Sequence, residues 1–109
     1  MTIQHVDIRP IDLICVQKIL NNHLTINTKV WVFGSRATGT TKKSSDLDLA
    51  IDAGRPLTHQ ERIALAEAFD ESDLPYTVDV VDMQTVSKSF KSIIEQTMVA
   101  LHRNREGHV

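Results

Sequence analysis

Residues 34–52 read GSRATGTTKKSSDLDLAID, and this stretch decides the fold. Its second part, residues 46–52, alternates acidic and aliphatic side chains with the period of two of a strand that buries one face. Leu47, Leu49 and Ile51 share one side; Asp46 and Asp48 share the other, with Asp52 further along at the exit. Its first part ends another strand. Residues 29–33, Lys-Val-Trp-Val-Phe, are β-branched and aromatic, and Gly34-Ser35 breaks them. Ser35 reads as the N-cap of a short helical turn through Arg36 and Ala37, and residues 39–45 as polar loop. Trp31 and Phe33 read as core, or as a wall behind the turn.

Outward from this frame, Pro10 suits a first helical position. Ile11, Ile14, Cys15, Ile19 and Leu20 follow at helical spacing until the polar break at Asn21, Asn22 and residues 25–29. Downstream, Gly54 and Pro56 end the second strand, and Thr58 with Glu61 makes a capping box. Ile63, Leu65, Ala66 and Phe69 form the apolar stripe of a helix reaching about Glu71. Pro75 precedes a third strand over residues 76–81. Phe90, Ile93, Ile94, Thr97, Met98 and Leu101 describe a last amphipathic helix, with a loose tail from Asn104. The order α, β, β, α, β, α predicts an α/β (α+β) domain, a small mixed sheet flanked by helices. It is read as one domain over residues 1–109, with its core at about 10–102.

At 109 residues, 41% hydrophobic and 24% charged, the composition is that of a soluble globular protein. No apolar run approaches the roughly 20 residues of a membrane span. The first ten residues lack the basic start and apolar stretch of a signal peptide, so a cytoplasmic protein is expected. Cys15 is the only cysteine, which excludes an internal disulfide and reads as a small buried hydrophobe. A net charge of −2 argues against a basic face for DNA or RNA, though not against a mononucleotide. None of the five histidines, among them His23, His59 and His102, has zinc-site spacing.

The acids carry the chemistry. Asp46 and Asp48 leave one strand face with Cα atoms about 6–7 Å apart. Carboxylates that close repel each other unless a cation lies between them, and Mg²⁺ favours such oxygens. Asp79 stands amid the valines of the third strand, where an unpaired charge is costly and a shared metal site would relieve it. Strand parity puts Asp82 on the opposite, apolar side, as a strand-end residue; Asp52 is a weaker competitor at the strand exit. A glycine at position 34 lets backbone N–H groups approach phosphate closely. Arg36, Lys42 and Lys43 are candidate phosphate neighbours, though basic residues in a loop are solvated surface more often than ligands.

The spacing Gly34-Ser35, ten residues, Asp46, one residue, Asp48 resembles the signature of the polymerase-β-like nucleotidyltransferase superfamily. The short chain, with its later Tyr-Thr-Val-Asp-Val-Val-Asp strand, resembles the minimal nucleotidyltransferase (MNT) family. The resemblance implies Asp46, Asp48 and Asp79 as catalytic and metal ligands, holding two Mg²⁺ ions, with Mn²⁺ as a substitute. It implies Gly34 and Ser35 as nucleotide-binding, with Arg36 the adjoining candidate. The implied reaction transfers AMP from ATP to a hydroxyl and releases pyrophosphate. MNT proteins are commonly paired with a helical HEPN-type protein, which implies a protein adenylyltransferase, the antitoxin of a type VII toxin–antitoxin system. Two alternatives stand beside it. One is a small-molecule enzyme resembling aminoglycoside nucleotidyltransferases, completed by a helical subunit or as a homo-oligomer. The other is a module that binds nucleotide without catalysis.

Overall fold

The computed structural model describes residues 7–38 and 46–101. In chain order the elements are α1 (Pro10–His23), β1 (Lys29–Phe33), α2 (Ser35–Thr38), β2 (Leu47–Asp52), α3 (His59–Asp70), β3 (Val78–Asp82), α4 (Lys88–Thr97) and β4 (Val99–Ala100). The four strands form one sheet in the order β3-β2-β1-β4. β1 runs antiparallel to both β2 and β4, while β2 and β3 are parallel, joined by the α3 crossover that parallel neighbours require. The mixed sheet flanked by helices is therefore as expected.

Strand alternation sorts the two faces. Val30, Val32, Leu47, Leu49 and Ile51 point to one side and pack with Val16 and Leu20 of α1 and Leu65 and Phe69 of α3. On the other side Phe33 and Ala50 pack with Met83 and with Ile94 of α4. Two of the helices, α1 and α3, open as the sequence implies. Pro10 opens α1, the Thr58–Glu61 capping box opens α3, and the Ser87 side chain accepts from the Phe90 N–H at the start of α4. Among the described residues no helix is long and apolar enough to cross a membrane.

Several local expectations are corrected. In α1 the buried positions are Asp12, Val16, Gln17 and Leu20, while Ile11 and Ile14 are 69% and 54% exposed. Apolar residues surround most of this helix, so periodicity could not choose the inward stripe; the polar contacts of Asp12 did. Cys15 is only half-buried. In α3, Leu65 and Phe69 are buried but Ile63 and Ala66 are exposed. β3 begins at Val78 and runs to Asp82, because Tyr76 turns toward α1 instead of joining the ladder. The last helix stops at Thr97: Met98 is extended (ψ 142°), and Val99–Ala100 pair with the edge of β1. Leu101, expected on that helix, is buried beyond β4, its N–H bonding the Val30 carbonyl at 2.9 Å. This short strand covers an edge that would otherwise be open. Lys42, Lys43, His102 and the tail lie outside the described residues.

Candidate active site

The register of the sheet brings the acids together. Asp48 is the direct partner of Asp79 in the parallel β2–β3 ladder, and of Phe33 in the antiparallel β1–β2 ladder. Asp46 lies just ahead of β2, one residue from its first position. Asp46 and Asp79 are exposed and Asp48 is half-buried. Burial raises the Asp48 carboxyl above the ordinary carboxylate range, and the charges of Asp79 and Asp46 push it further the same way. Asp48 thus feels both neighbouring acids, and among the described residues no cationic side chain pairs with any of the three. Hard carboxylate oxygens with uncompensated repulsion are a donor set that a divalent cation fits. No three acids among the described residues already stand at ligand spacing around a common point, so the fit rests on donor chemistry and convergence.

Gly34 closes the site from β1. Its φ is +77°, a left-handed conformation that side chains resist, and a Cβ there would lie 2.5 Å from Asp48 Oδ2. The Gly34 carbonyl accepts from the N–H groups of Ala37 and Thr38 at 3.0 and 3.2 Å. Gly34 therefore takes the cap position expected of Ser35, and Ser35 is the first residue of α2, half-buried.

Arg36 does not join this group. It is 5% exposed, its Nη1 donates to the Asp7 carbonyl at 2.7 Å, and its guanidinium lies 3.9 Å from the centroid of the Tyr76 ring. The residue expected beside phosphate thus makes a buried cation–π contact with Tyr76. Asp52 also has other work: its Oδ1 accepts from the Gly54 N–H and from Gln84 Nε2, both at 2.8 Å. The Gly54 bond first, and Gln84 second, hold its carboxyl below the usual range. Asp82 is 3% exposed, with Oδ2 accepting from the Leu57 N–H at 2.8 Å and Oδ1 from the Gln84 N–H at 2.9 Å. It pins the entry to α3, as parity indicated.

Sequence reasoning missed a polar cluster behind the turn. Arg9 donates twice to Asp12, at 2.9 Å each, and the Tyr76 hydroxyl donates to Asp12 Oδ2 at 3.1 Å. The available signals were the Arg9–Asp12 spacing at a helix start and the only tyrosine in the chain. A cavity of about 760 Å³ lies elsewhere, between α1 and the β1–β4 edge, and none of the predicted site residues lines it.

Comparison with known proteins gives the family and the fold. The family model described as polymerase beta, nucleotidyltransferase matches residues 15–106. The chain is 44% identical over 100 residues to the probable protein adenylyltransferase MntA of Haemophilus influenzae, covering 92% of this chain and 87% of that one. A crystal structure of a toxin–antitoxin with AMP-PNP superposes with a TM-score of 0.71 at 25% identity, covering 87% of this chain and 76% of that chain. A tri-AMPylated Shewanella oneidensis HEPN toxin in complex with MNT antitoxin gives a TM-score of 0.64 at 21% identity, over 86% and 71% of the two chains; that likeness is one of fold.

Proposed function

This chain belongs to the polymerase beta nucleotidyltransferase family, and from that premise we propose that it transfers AMP from ATP to a hydroxyl of a helical HEPN-type partner protein. It acts as the antitoxin of a toxin–antitoxin pair in the cytoplasm. The observation that carries this reading is the pairing of Asp48 with Asp79 in register, opposite a left-handed Gly34 whose missing side chain leaves room for the Asp48 carboxylate. Support for the acceptor class comes from the 44% identical relative, named a probable protein adenylyltransferase.

In this reading the Gly34–Ser35 turn binds the β- and γ-phosphates through backbone N–H groups and the Ser35 hydroxyl. Asp46, Asp48 and Asp79 would hold two divalent cations, Mg²⁺ or Mn²⁺, which would neutralise phosphate charge and lower the pKa of the acceptor hydroxyl. Asp79 takes the proton of that hydroxyl. The acceptor oxygen bonds to the α-phosphorus as the bond from that phosphorus to the bridging oxygen breaks, and pyrophosphate leaves with the electron pair. Phosphate positioning comes from the turn after β1 and proton removal from β3, on the far side of β2, so the chemistry depends on their relative placement.

The test follows label. With Mg²⁺ and the partner present, ATP labelled at the α-phosphorus should mark the partner protein, and ATP labelled at the γ-phosphorus should not. Label entering an aminoglycoside while the partner stays unlabelled would transfer the reading to small-molecule chemistry.

A further inference from the structure

Arg36 and Tyr76 flank the site without entering it. Arg36 directly follows Ser35, and Tyr76 lies three residues ahead of Asp79. Between them the guanidinium sits 3.9 Å from the ring centroid. The phenol donates to Asp12 at 3.1 Å, and Asp12 also accepts from Arg9 Nε and Nη2, each at 2.9 Å. On the other side Arg36 Nη1 donates to the Asp7 carbonyl at 2.7 Å, and the Asp7 N–H returns a bond to the Arg36 carbonyl at 2.8 Å. Contacts therefore run unbroken from the phosphate turn to the residues leading into β3.

Two of these charged groups are deeply buried, Arg36 at 5% and Asp12 at 4% exposed. Buried charges are costly unless their partners are complete, and a closed polar network specifies one geometry more than it adds stability. Burial and the bond to Asp12 lift the Tyr76 hydroxyl to about 12, so it remains a donor at any working pH. The sheet itself fixes Asp48 against Asp79. The β1–β2 ladder, however, ends at the Phe33–Asp48 pair, so the turn at Gly34–Ser35 lies past its last rung. Beyond that rung, Ala37 packs on the main core and the Arg36 contacts reach across to Tyr76.

We propose that Arg36 and Tyr76 are positioning residues, a tether that keeps the Gly34–Ser35 turn in register with the strand carrying Asp79. The inference rests on reading the site as a nucleotidyl-transfer centre. There, a misplacement of about 1 Å between phosphate and base costs on the order of 100-fold in rate.

Tyr76→Leu removes both ring and hydroxyl; Tyr76→Phe removes the hydroxyl and keeps the ring under the guanidinium. Amide hydrogen exchange on the full chain reads the tether at Ala37 and Thr38, whose N–H groups close on the Gly34 carbonyl. In Tyr76→Leu these two amides should exchange about tenfold faster or more while unfolding stays cooperative, and Tyr76→Phe should restore most of the protection. In the transfer assay with the partner, kcat should fall by about tenfold or more and exceed any rise in KM for ATP. Unchanged exchange at Ala37 and Thr38, or an unchanged kcat, overturns the tether. If the unsubstituted protein transfers no adenylate, the nucleotidyl-transfer reading fails and exchange alone decides the tether. If Tyr76→Leu does not fold, Arg36→Lys keeps the charge but loses the planar stack, and the same two amides decide.

Discussion

The Oδ2 atom of Asp48 lies 2.5 Å from the point a Cβ on Gly34 would occupy, and Gly34 itself has a φ of +77°. The carboxylate and the turn therefore share one space, and the residue type at position 34 is constrained twice. A side chain there would be strained in its backbone and would also displace the acid. The residue that ends the first strand thus leaves the room that an acid on the second occupies.

Gly34→Ala should accordingly damage activity more than stability. The left-handed φ costs a non-glycine residue about 1–3 kcal/mol. Displacement of Asp48 should reduce transfer by about 100-fold or more. Thermal unfolding beside a single-turnover rate checks this; a fully active Gly34→Ala would mean that Asp48 is not required where it stands.

Asp79 and Asp82 should behave as opposites. Asp79→Asn should abolish transfer and leave melting unchanged or raised, since an exposed acid beside Asp48 is removed. Asp82→Asn sets an amide NH₂ against one of two backbone N–H donors and should cost about 1–3 kcal/mol. Its kcat should stay close to that of the unsubstituted chain. Reversed phenotypes would place the third acid at Asp82.

Two carboxyls give pH dependences of opposite sign. The Asp48 pKa is raised in the fold, so without metal its ionisation lowers stability progressively as pH rises through the raised pKa. Asp48→Asn should therefore raise the metal-free melting temperature at neutral pH, with the gain vanishing as pH falls into the ordinary carboxylate range. The Asp12 pKa is lowered, first by its bond from Arg9, so its contribution is present above the ordinary carboxylate range and is lost as pH falls through the lowered pKa. Asp12→Asn should destabilise the neutral protein and flatten its acid-side loss. Melting scans from acid to neutral pH in a chelator decide both.

The inward face of α1 is open to a direct test. Leu20→Ala should cost about 2–5 kcal/mol, as a fully buried aliphatic does, while Ile14→Gln should fall within about 0.5 kcal/mol of the unsubstituted chain. Equal losses from the two would restore the stripe that periodicity suggested.

The strands and the acids were legible because a strand's period of two is rigid: Asp46 and Asp48 opposite Leu47 and Leu49 allow one assignment of faces. The capping box was legible because it is a local exchange of hydrogen bonds between Thr58 and Glu61. What escaped depended on contacts distant in sequence. The β4 pairing joins Val99 to Val32, and the Tyr76–Asp12 bond spans 64 positions. The stacking of Arg36 on the Tyr76 ring escaped for the same reason, since those residues lie 40 positions apart.

The central claim is metal-dependent adenylyl transfer by the acids around Gly34. Its most direct test is the intact mass of the helical partner after incubation with this protein and ATP. With Mg²⁺ the partner should gain whole adenylate increments on a hydroxyl side chain. With EDTA, or with Asp48→Asn in place of the unsubstituted chain, it should gain none. A partner that stays unmodified with Mg²⁺, or that is adenylylated equally well by Asp48→Asn, would contradict the account.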